Sequence, residues 1–274
     1  MTIQEIKDNQ EKFLEEYQVH TQFVASKLNW DSLMELAEDF DNKRPQYETV
    51  ALNYVKEISS FNHIHSIKYR IKKTDSFIKK VILKSYNGFE INMQNYMTEI
   101  TDLIGIRVLY IFKSDYLPVH EQIWKAYNKK MTQDIHIKLR EGDDEVIYAN
   151  MKKYKPVFEP NKTYRSIHYT MQSSNDQNSA RMEIQTRTIF EEGWSEINHK
   201  LVYKNEKAAE FYFLTQASKI LSMLVGDCDT LGDLMKNLYD EYLSRQKLVI
   251  TGETDKINNT AMLEIMDEFL HNRK

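Results

Sequence analysis

The chain has 274 residues, a net charge of -4, 41% hydrophobic and 28% charged residues, and just 7 Gly and 4 Pro. This balance describes a folded globule, either one sizeable domain with extensions or two small ones, and it excludes long flexible linkers, low-complexity tracts and membrane-spanning runs. Cys228 is the single cysteine, which rules out an internal disulfide and a cysteine-based zinc site.

The opening residues, MTIQEIKDNQEKF, are polar and carry no apolar signal region, so the expected compartment is the cytoplasm. Residues 2 to 28 place Ile3, Ile6, Phe13, Leu14, Tyr17, Phe23 and Val24 at helical spacing. NWDSLMELAEDFDNK starts a second helix with Asp31 as its expected N-cap, and residues 46 to 60 form a third. This leader is expected to lie as a helical layer on the core. HIHSIKYRIKK, residues 63 to 73, alternates Ser66, Lys68, Arg70 and Lys72 against Ile67, Tyr69 and Ile71, the pattern of a strand. TDSFIKKVILKSYNG then reads as a helix capped by Thr74 or Asp75 and stopped near Gly88. Residues 103 to 112 are a second strand, 116 to 130 a helix, and DIHIKL a third strand. YRSIHYTM and RMEIQTRT, separated by the polar turn SSNDQNSA, are expected to pair as a hairpin. TIFEEGWSEINHKLVYK, residues 188 to 204, reads as a helix with Phe190, Trp194, Ile197 and Leu201 as its apolar stripe. Residues 207 to 247 give one or two further helices, and the last 25 or so a weaker helical tail. Helices, then strands mixed with helices, then helices again predict an α/β or α+β fold with a mixed sheet flanked by helices.

Charge is unevenly spread. Residues 1 to 50 hold 11 acidic and 5 basic residues, and residues 206 to 274 hold 12 and 8, whereas the middle holds 24 basic against 18 acidic. A basic centre between acidic ends suits a polyanion held centrally. No G-x-x-x-x-G-K-[ST] loop, no G-x-G-x-x-G and no H-E-x-x-H occurs. A phosphate ligand would therefore be held by side chains and metal, not by a glycine-rich backbone cradle.

Between Ser66 and Lys84, seven basic residues face Asp75 alone. Lys68, Arg70 and Lys72 share a strand face, and Ser76 and Lys80 lie one turn apart on the helix that follows. They form either a cationic wall for a triphosphate or a solvated strand edge in which lysine discourages aggregation. In EIQTRT, Glu183, Gln185 and Arg187 share one strand face. With Asp102 elsewhere in the sheet, two carboxylates could hold Mg2+ between protein and phosphates; the other reading is a structural Arg–Glu pair. YRSIHYT sets Tyr164, Ser166 and His168 on one face, where Tyr164 either stacks a base or fills the core.

The segments HSIKYRIKKTDSFIKKV, ITDLIGIRV, YRSIHY and EIQTRTIFEEGWSEINHKLVYK, in this order, resemble the synthetase domain of RelA/SpoT proteins, the alarmone synthetases, over about residues 50 to 205. The resemblance implies a nucleotidyltransferase-like mixed sheet. It implies an ATP-dependent pyrophosphokinase that moves the β,γ-pyrophosphate of ATP to the 3′-hydroxyl of GDP or GTP and releases AMP. Matched residue by residue, it implies Asp102 and Glu183 as catalytic carboxylates that hold Mg2+. It makes Arg70 and Arg107 the adenine sandwich and gives Lys72, Ser76 and Lys80 the ATP phosphates. Tyr164 would stack guanine, His168 and Gln185 would lie on the acceptor side, and Arg187 is a candidate phosphate contact. The implied organisation is a helical extension over 1–50, a synthetase domain over 51–205 and a helical extension over 206–274. The implied partners are ATP and GDP or GTP, with no membrane, and a homo-oligomer through the C-terminal helices. The hydrolase half of the long family members has no counterpart before residue 60, so the product is expected to be made and not degraded.

Departures from the family pattern fall on the acceptor side. Thr163 stands where the family usually has Gly before the tyrosine, and Pro160 and Asn161 precede Lys162. Two other functions therefore stay in view: a toxin-type relative that pyrophosphorylates the 3′ end of tRNA or makes adenosine alarmones, and a non-catalytic nucleotide- or RNA-binding sensor. One geometric question is also open. Asp102 and Arg107, five residues apart on a regular strand, would point to opposite faces, so either Asp102 precedes the strand or Gly105 marks a bulge.

Overall fold

The structure, a computed structural model, describes residues 2–140, 143, 145–161, 164–174, 176, 179–203 and 211–251. The leader begins as three short helices, α1 (Ile3–Asp8), α2 (Gln10–Glu16) and α3 (His20–Ser26). The chain breaks between the last two where Gln18 takes a positive φ of 53°. The second and third helices expected from the sequence are one, α4 (Trp30–Ile58), which runs through Pro45. A proline inside a helix forfeits one hydrogen bond and costs about 3 kcal/mol. Here Leu33, Ala37, Phe40, Tyr47, Ala51, Tyr54 and Ile58 form one buried stripe on both sides of it, and packing outweighs that local penalty. Its N-cap is Asn29, not Asp31: the Asn29 side chain accepts from the Ser32 N–H at 2.9 Å.

The central elements are β1 (Ser66–Ile71), α5 (Thr74–Tyr86), α6 (Tyr96–Glu99), β2 (Ile104–Tyr110), α7 (Tyr116–Tyr127), β3 (His136–Arg140), β4 (Val157–Asn161), β5 (Ser166–Gln172) and β6 (Arg181–Thr188). The N-cap of α5 is Lys73, with no side-chain cap bond. Thr74 is spent instead on Asp41, to which its hydroxyl donates at 2.6 Å. Gly88, at φ 87°, follows the end of α5 as the turn there requires.

The six strands form one mixed sheet in the order β1-β2-β6-β5-β3-β4. β2 and β6 pair parallel, as do β3 and β4, while β1–β2, β5–β6 and β3–β5 are antiparallel. β5 and β6 are the predicted hairpin. Register sorts the side chains by chemistry. Ile67, Ile106, Ile184, Tyr169 and Ile137 lie on one face, where they join Phe40, Phe77 and Ile123 of the helices in a continuous core. Phe40 of α4 stacks on Phe77 of α5 at 4.4 Å, so the leader is part of that core. On the other face, Lys68, Arg107, Gln185, His168 and His136 make one row across five strands, and Arg70, Gly105, Glu183 and Thr170 make the next.

After β6 the chain enters α8 (Ile189–Asn198), continues as a wide π turn (His199–Tyr203), and resumes as α9 (Tyr212–Thr251). The expected apolar stripe of α8 is not a buried one. Trp194 is 2% exposed, but Phe190, Ile197 and Leu201 are 40%, 49% and 48% exposed. The wide turn resets the helical spacing after Asn198. The side of α8 that meets α9 is narrow and centred on Trp194, whose indole N–H donates to the Ser218 carbonyl at 2.9 Å. α9 is docked largely through polar contacts. Buried Asp229 accepts from Thr188 at 3.1 Å, Asp233 accepts from the Ser114 hydroxyl at 3.0 Å, and Lys236 donates to Asp115 at 2.7 Å. The helical tail expected over the last residues lies outside the described residues. Among the described residues no helix is long and apolar enough to cross a membrane.

Candidate active site

The polar face of the sheet gathers most of the residues singled out from the sequence. Asp102 lies in the turn before β2, and the strand register runs without interruption through Gly105. There is no bulge. Asp102 precedes the strand, which frees it from the strand's alternation and lets it serve the face that carries Arg107. Its Oδ2 accepts from Lys72 Nζ at 2.7 Å, and its Oδ1 is 3.9 Å from Lys80 Nζ. Oδ1 is buried and has no hydrogen-bond partner among the described residues. Burial works against the ionised form of Asp102, but the charges of Lys72 and Lys80 outweigh it and hold the carboxyl below the usual range. Burial likewise pulls Lys72 below the usual lysine range, against the pull of Asp102.

Glu183 sits on β6 opposite Gly105. Its Oε1 is 2.8 Å from His168 Nδ1, and its Oε2 accepts from Gln185 Nε2 at 2.6 Å. The rail extends both ways: His168 Nε2 lies 2.6 Å from the Ser166 hydroxyl, and Arg187 donates to the Gln185 side-chain oxygen at 2.7 Å. Burial raises the pKa of Glu183, but the His168 and Gln185 contacts overcome it and hold the carboxyl low; Asp102 is near enough for its charge to push the other way. A carboxylate offers about four acceptor positions, so Glu183 retains capacity for a further donor.

The two arginines expected on the ATP side are diagonal neighbours on β1 and β2, since Arg70 pairs with Gly105 and Arg107 with Lys68. Such neighbours stand about 7–8 Å apart, the thickness of a flat ring with one van der Waals contact on each side. A Cβ on Gly105 would come within 3.3 Å of Arg70 Cγ and Nε, so the glycine is what lets the Arg70 stem cross β2. Arg70 has no side-chain hydrogen bond or ion pair among the described residues, and it lines a cleft of about 600 Å³ with Asp41, Arg44, Glu48 and Tyr69. Arg107 is tied down: it donates to Glu192 at 3.1 Å and to Glu196. These bonds lie in the guanidinium plane and leave its faces available for stacking.

Ser76 is engaged differently. Its hydroxyl donates to Asp75 at 2.9 Å, and Asp75 also accepts from Tyr17 of the leader at 2.6 Å. Ser76 lies one turn before Lys80 but is not hydrogen-bonded to the lysine–aspartate group. Of the residues expected on the acceptor side, Tyr164 stacks near Trp194 at 6.2 Å, and the Arg187 guanidinium lies 5.6 Å from the Tyr164 ring centre. Lys162 and Thr163, where the chain departs from the family pattern, lie outside the described residues. Arg187 is 4% exposed, which makes it a support beneath Tyr164 and Gln185. Next to Tyr164, Arg165 pairs with Asp143, and its backbone N–H donates to Glu191; Glu191 also holds Arg140. Burial pushes Glu191 up to about 7 and Asp229 up to about 6, despite these basic neighbours.

Glu192 and Glu196 are the functional candidates that reading the sequence missed. Four residues apart on α8, they share one helix face, but nothing local to the sequence links that face to β2. As for a metal, no three His, Cys, Asp or Glu side chains converge among the described residues. The orphan Asp102 Oδ1, and Glu183 near enough to feel the Asp102 charge, offer hard oxygen donors of the kind Mg2+ takes when phosphates and water supply the rest of its shell.

Residues 69–208 match the family described as a region found in RelA and SpoT proteins. GTP pyrophosphokinase YwaC of Bacillus subtilis strain 168 is 26% identical over 194 residues, which cover 65% of this chain and 82% of that protein. Among solved structures, a GTP pyrophosphokinase family protein from Streptococcus pneumoniae aligns over 88% of this chain and 97% of its own, at 20% identity and a TM-score of 0.43. Small alarmone synthetase 1 from Bacillus subtilis, bound to its product pppGpp, aligns over 85% of this chain and 99% of its own, at 19% identity and a TM-score of 0.42.

Proposed function

Because the chain belongs to the RelA/SpoT family, we propose that it is a cytoplasmic ATP-dependent pyrophosphokinase. In this reading it transfers the β,γ-pyrophosphate of ATP to the 3′-hydroxyl of GDP or GTP and releases AMP. The observation that carries it is the polar sheet face, which bears a lysine-flanked Asp102, a hydrogen-bonded Glu183, a pair of neighbouring arginines and an aromatic platform.

The sheet supports the following division of labour. The catalytic unit is centred on residues 51–205 and shares its core with α4 of the leader, whose Phe40 stacks on Phe77; the described residues Tyr212–Thr251 form a helical extension. Arg70 and Arg107 take the two faces of adenine. Lys72 and Lys80 meet the triphosphate, joined by Ser76 once its hydroxyl exchanges Asp75 for a phosphate oxygen. Tyr164, backed by Arg187 and Trp194, stacks the acceptor base, and His168 and Gln185 hold Glu183 in place to receive the acceptor hydroxyl. Setting that hydroxyl in line with the β-phosphorus converts two bound nucleotides into a near-unimolecular pair. Mg2+, held by Asp102 and Glu183, would neutralise charge on the phosphate oxygens. Lysines already poised in the site need no reorganisation to share that load.

The test is purified protein with labelled ATP and, in turn, GDP, GTP, ATP or tRNA as acceptor. Label on GDP or GTP together with AMP release is expected. Label appearing on tRNA alone would refute the alarmone reading, and ATP binding with no AMP released would mark a sensor. The proposal extends to self-association of two copies through α9. That helix exposes Phe213, Ile220, Met223, Leu224, Met235 and Tyr239, apolar side chains that a second copy would cover. Light scattering should give a multiple of 32.7 kDa; a monomer at micromolar concentration would count against it.

A further inference from the structure

Three cations from three different strands converge on one buried carboxylate of α8. Glu192 is 3% exposed. Its Oε1 accepts from Lys68 of β1 at 3.1 Å and from Arg107 of β2 at 3.1 Å, and its Oε2 is 3.8 Å from Arg187 of β6. Oε2 has no hydrogen-bond partner among the described residues, and neither do Arg187 Nε and Nη1.

Local structure explains how a carboxylate comes to be there. Thr188, the last residue of β6, caps α8 by accepting from the Glu191 N–H at 3.1 Å. That sets the first turn of the helix over the sheet, where the helix dipole favours acidic side chains. Glu196, one turn further on, reaches Arg107 as well, but it is half exposed and has no contact with Arg187.

We infer that Glu192 is a positioning residue that orders both nucleotide-binding halves at once. This rests on the reading that Arg107 stacks adenine and that Tyr164, over Arg187, stacks the acceptor base. On one side, Glu192 fixes the plane of the Arg107 guanidinium by bonding it edge-on, so a face stays presented to a ring. On the other side its charge holds Arg187 under Tyr164 and in hydrogen bond with Gln185. An arginine without such a partner samples many rotamers, and binding must then immobilise it at a cost in affinity. Glu192 meets that cost in advance for two arginines, one for each substrate. Glu196 does so for Arg107 alone, which makes it the internal control.

The test is equilibrium titration by calorimetry with α,β-methylene-ATP and, separately, with GDP, alongside the KM and kcat of the wild type, Glu192→Gln and Glu196→Gln. Glu192→Gln should weaken both nucleotides about tenfold and raise both KM values by a similar factor, with kcat changed much less. Glu196→Gln should weaken the ATP analogue alone. Glu192→Asp, which keeps the charge one methylene short, should fall between Glu192→Gln and wild type, and it serves as the second variant should Glu192→Gln fold poorly. Unchanged affinities in Glu192→Gln with only a lower melting temperature would make Glu192 structural and overturn the inference. So would a loss confined to the ATP analogue. A wild type that binds neither nucleotide would sink the reading of the site itself, and the inference with it.

Discussion

Asp102→Asn is expected to cut AMP release by at least about 10³-fold, equivalent to roughly 4 kcal/mol of lost transition-state stabilisation. The substitution keeps the side chain's shape and removes the charge that would hold the cation. The orphan Oδ1, buried with no hydrogen-bond partner among the described residues, becomes a weaker ligand or an amide donor facing the phosphates. Breaking a buried ion pair by removing one partner usually destabilises by about 3–5 kcal/mol, which raises the concern that the variant merely unfolds. Lys72 limits that damage. Its pKa is already lowered by burial, and losing Asp102 removes the charge that opposes this, so its proton comes off more readily than from an ordinary lysine. Circular dichroism and a melting curve should therefore show a folded protein with a modest loss of stability. The double variant Asp102→Asn with Lys72→Met removes the lone cation altogether. Near-wild-type AMP release from a folded Asp102→Asn protein would end the catalytic assignment.

Glu183→Gln is expected to lower kcat by about 10²–10³-fold, within the range for loss of a group that handles a reacting proton, while the KM for ATP stays close to wild type. In the proposed function Glu183 serves the acceptor half of the face. Its loss breaks the rail in which Ser166, His168, Glu183, Gln185 and Arg187 each fix the next. The introduced amide would confront Gln185 with a donor as well as an acceptor and leave His168 without its carboxylate. The pH profile adds a signature. The pKa values of Asp102 and Glu183 are both lowered in the folded protein. A carboxylate lowered on folding contributes stability that is fully present above its unfolded pKa and is lost as pH falls through the folded value. Both groups are thus ionised throughout the neutral range. Any acid limb they impose on kcat/KM falls below the ordinary carboxylate range, and an acid limb seen between about pH 6 and 7 must come from another group. Steady-state rates from about pH 5 to 9 for wild type and Glu183→Gln would check this; a limb near neutrality that vanishes in Glu183→Gln would show that Glu183 titrates there.

Most of the sheet was legible because strand alternation is a local signal. The run RMEIQTRT coincides with β6, Arg181–Thr188, and the row of Glu183, Gln185 and Arg187 follows from period two alone. The mixed class followed from the order of elements. Errors arose where a distant partner outweighed a local preference. Two helices were expected on either side of Pro45, and the buried stripe of α4 made one. Thr74 resembled a cap, yet its hydroxyl was taken by Asp41 of α4. The α8 stripe was spaced for burial, but the π turn and a narrow contact with α9 left most of it exposed.

By itself the sequence determined which side chains share a strand face, that Asp102, Glu183 and the basic run exist to be assembled, and which family the order of segments resembles. These depend on covalent spacing and backbone period, which need no partner. The tertiary structure alone decided that Asp102 precedes its strand, that Arg70 crosses Gly105, and that Glu192 collects cations from β1, β2 and β6. Those facts depend on strand order and on where α8 lands. A parallel pairing of β2 with β6, which sets Ile104 beside Met182, is written in no window of neighbouring residues, because long-range burial and not local propensity selects it.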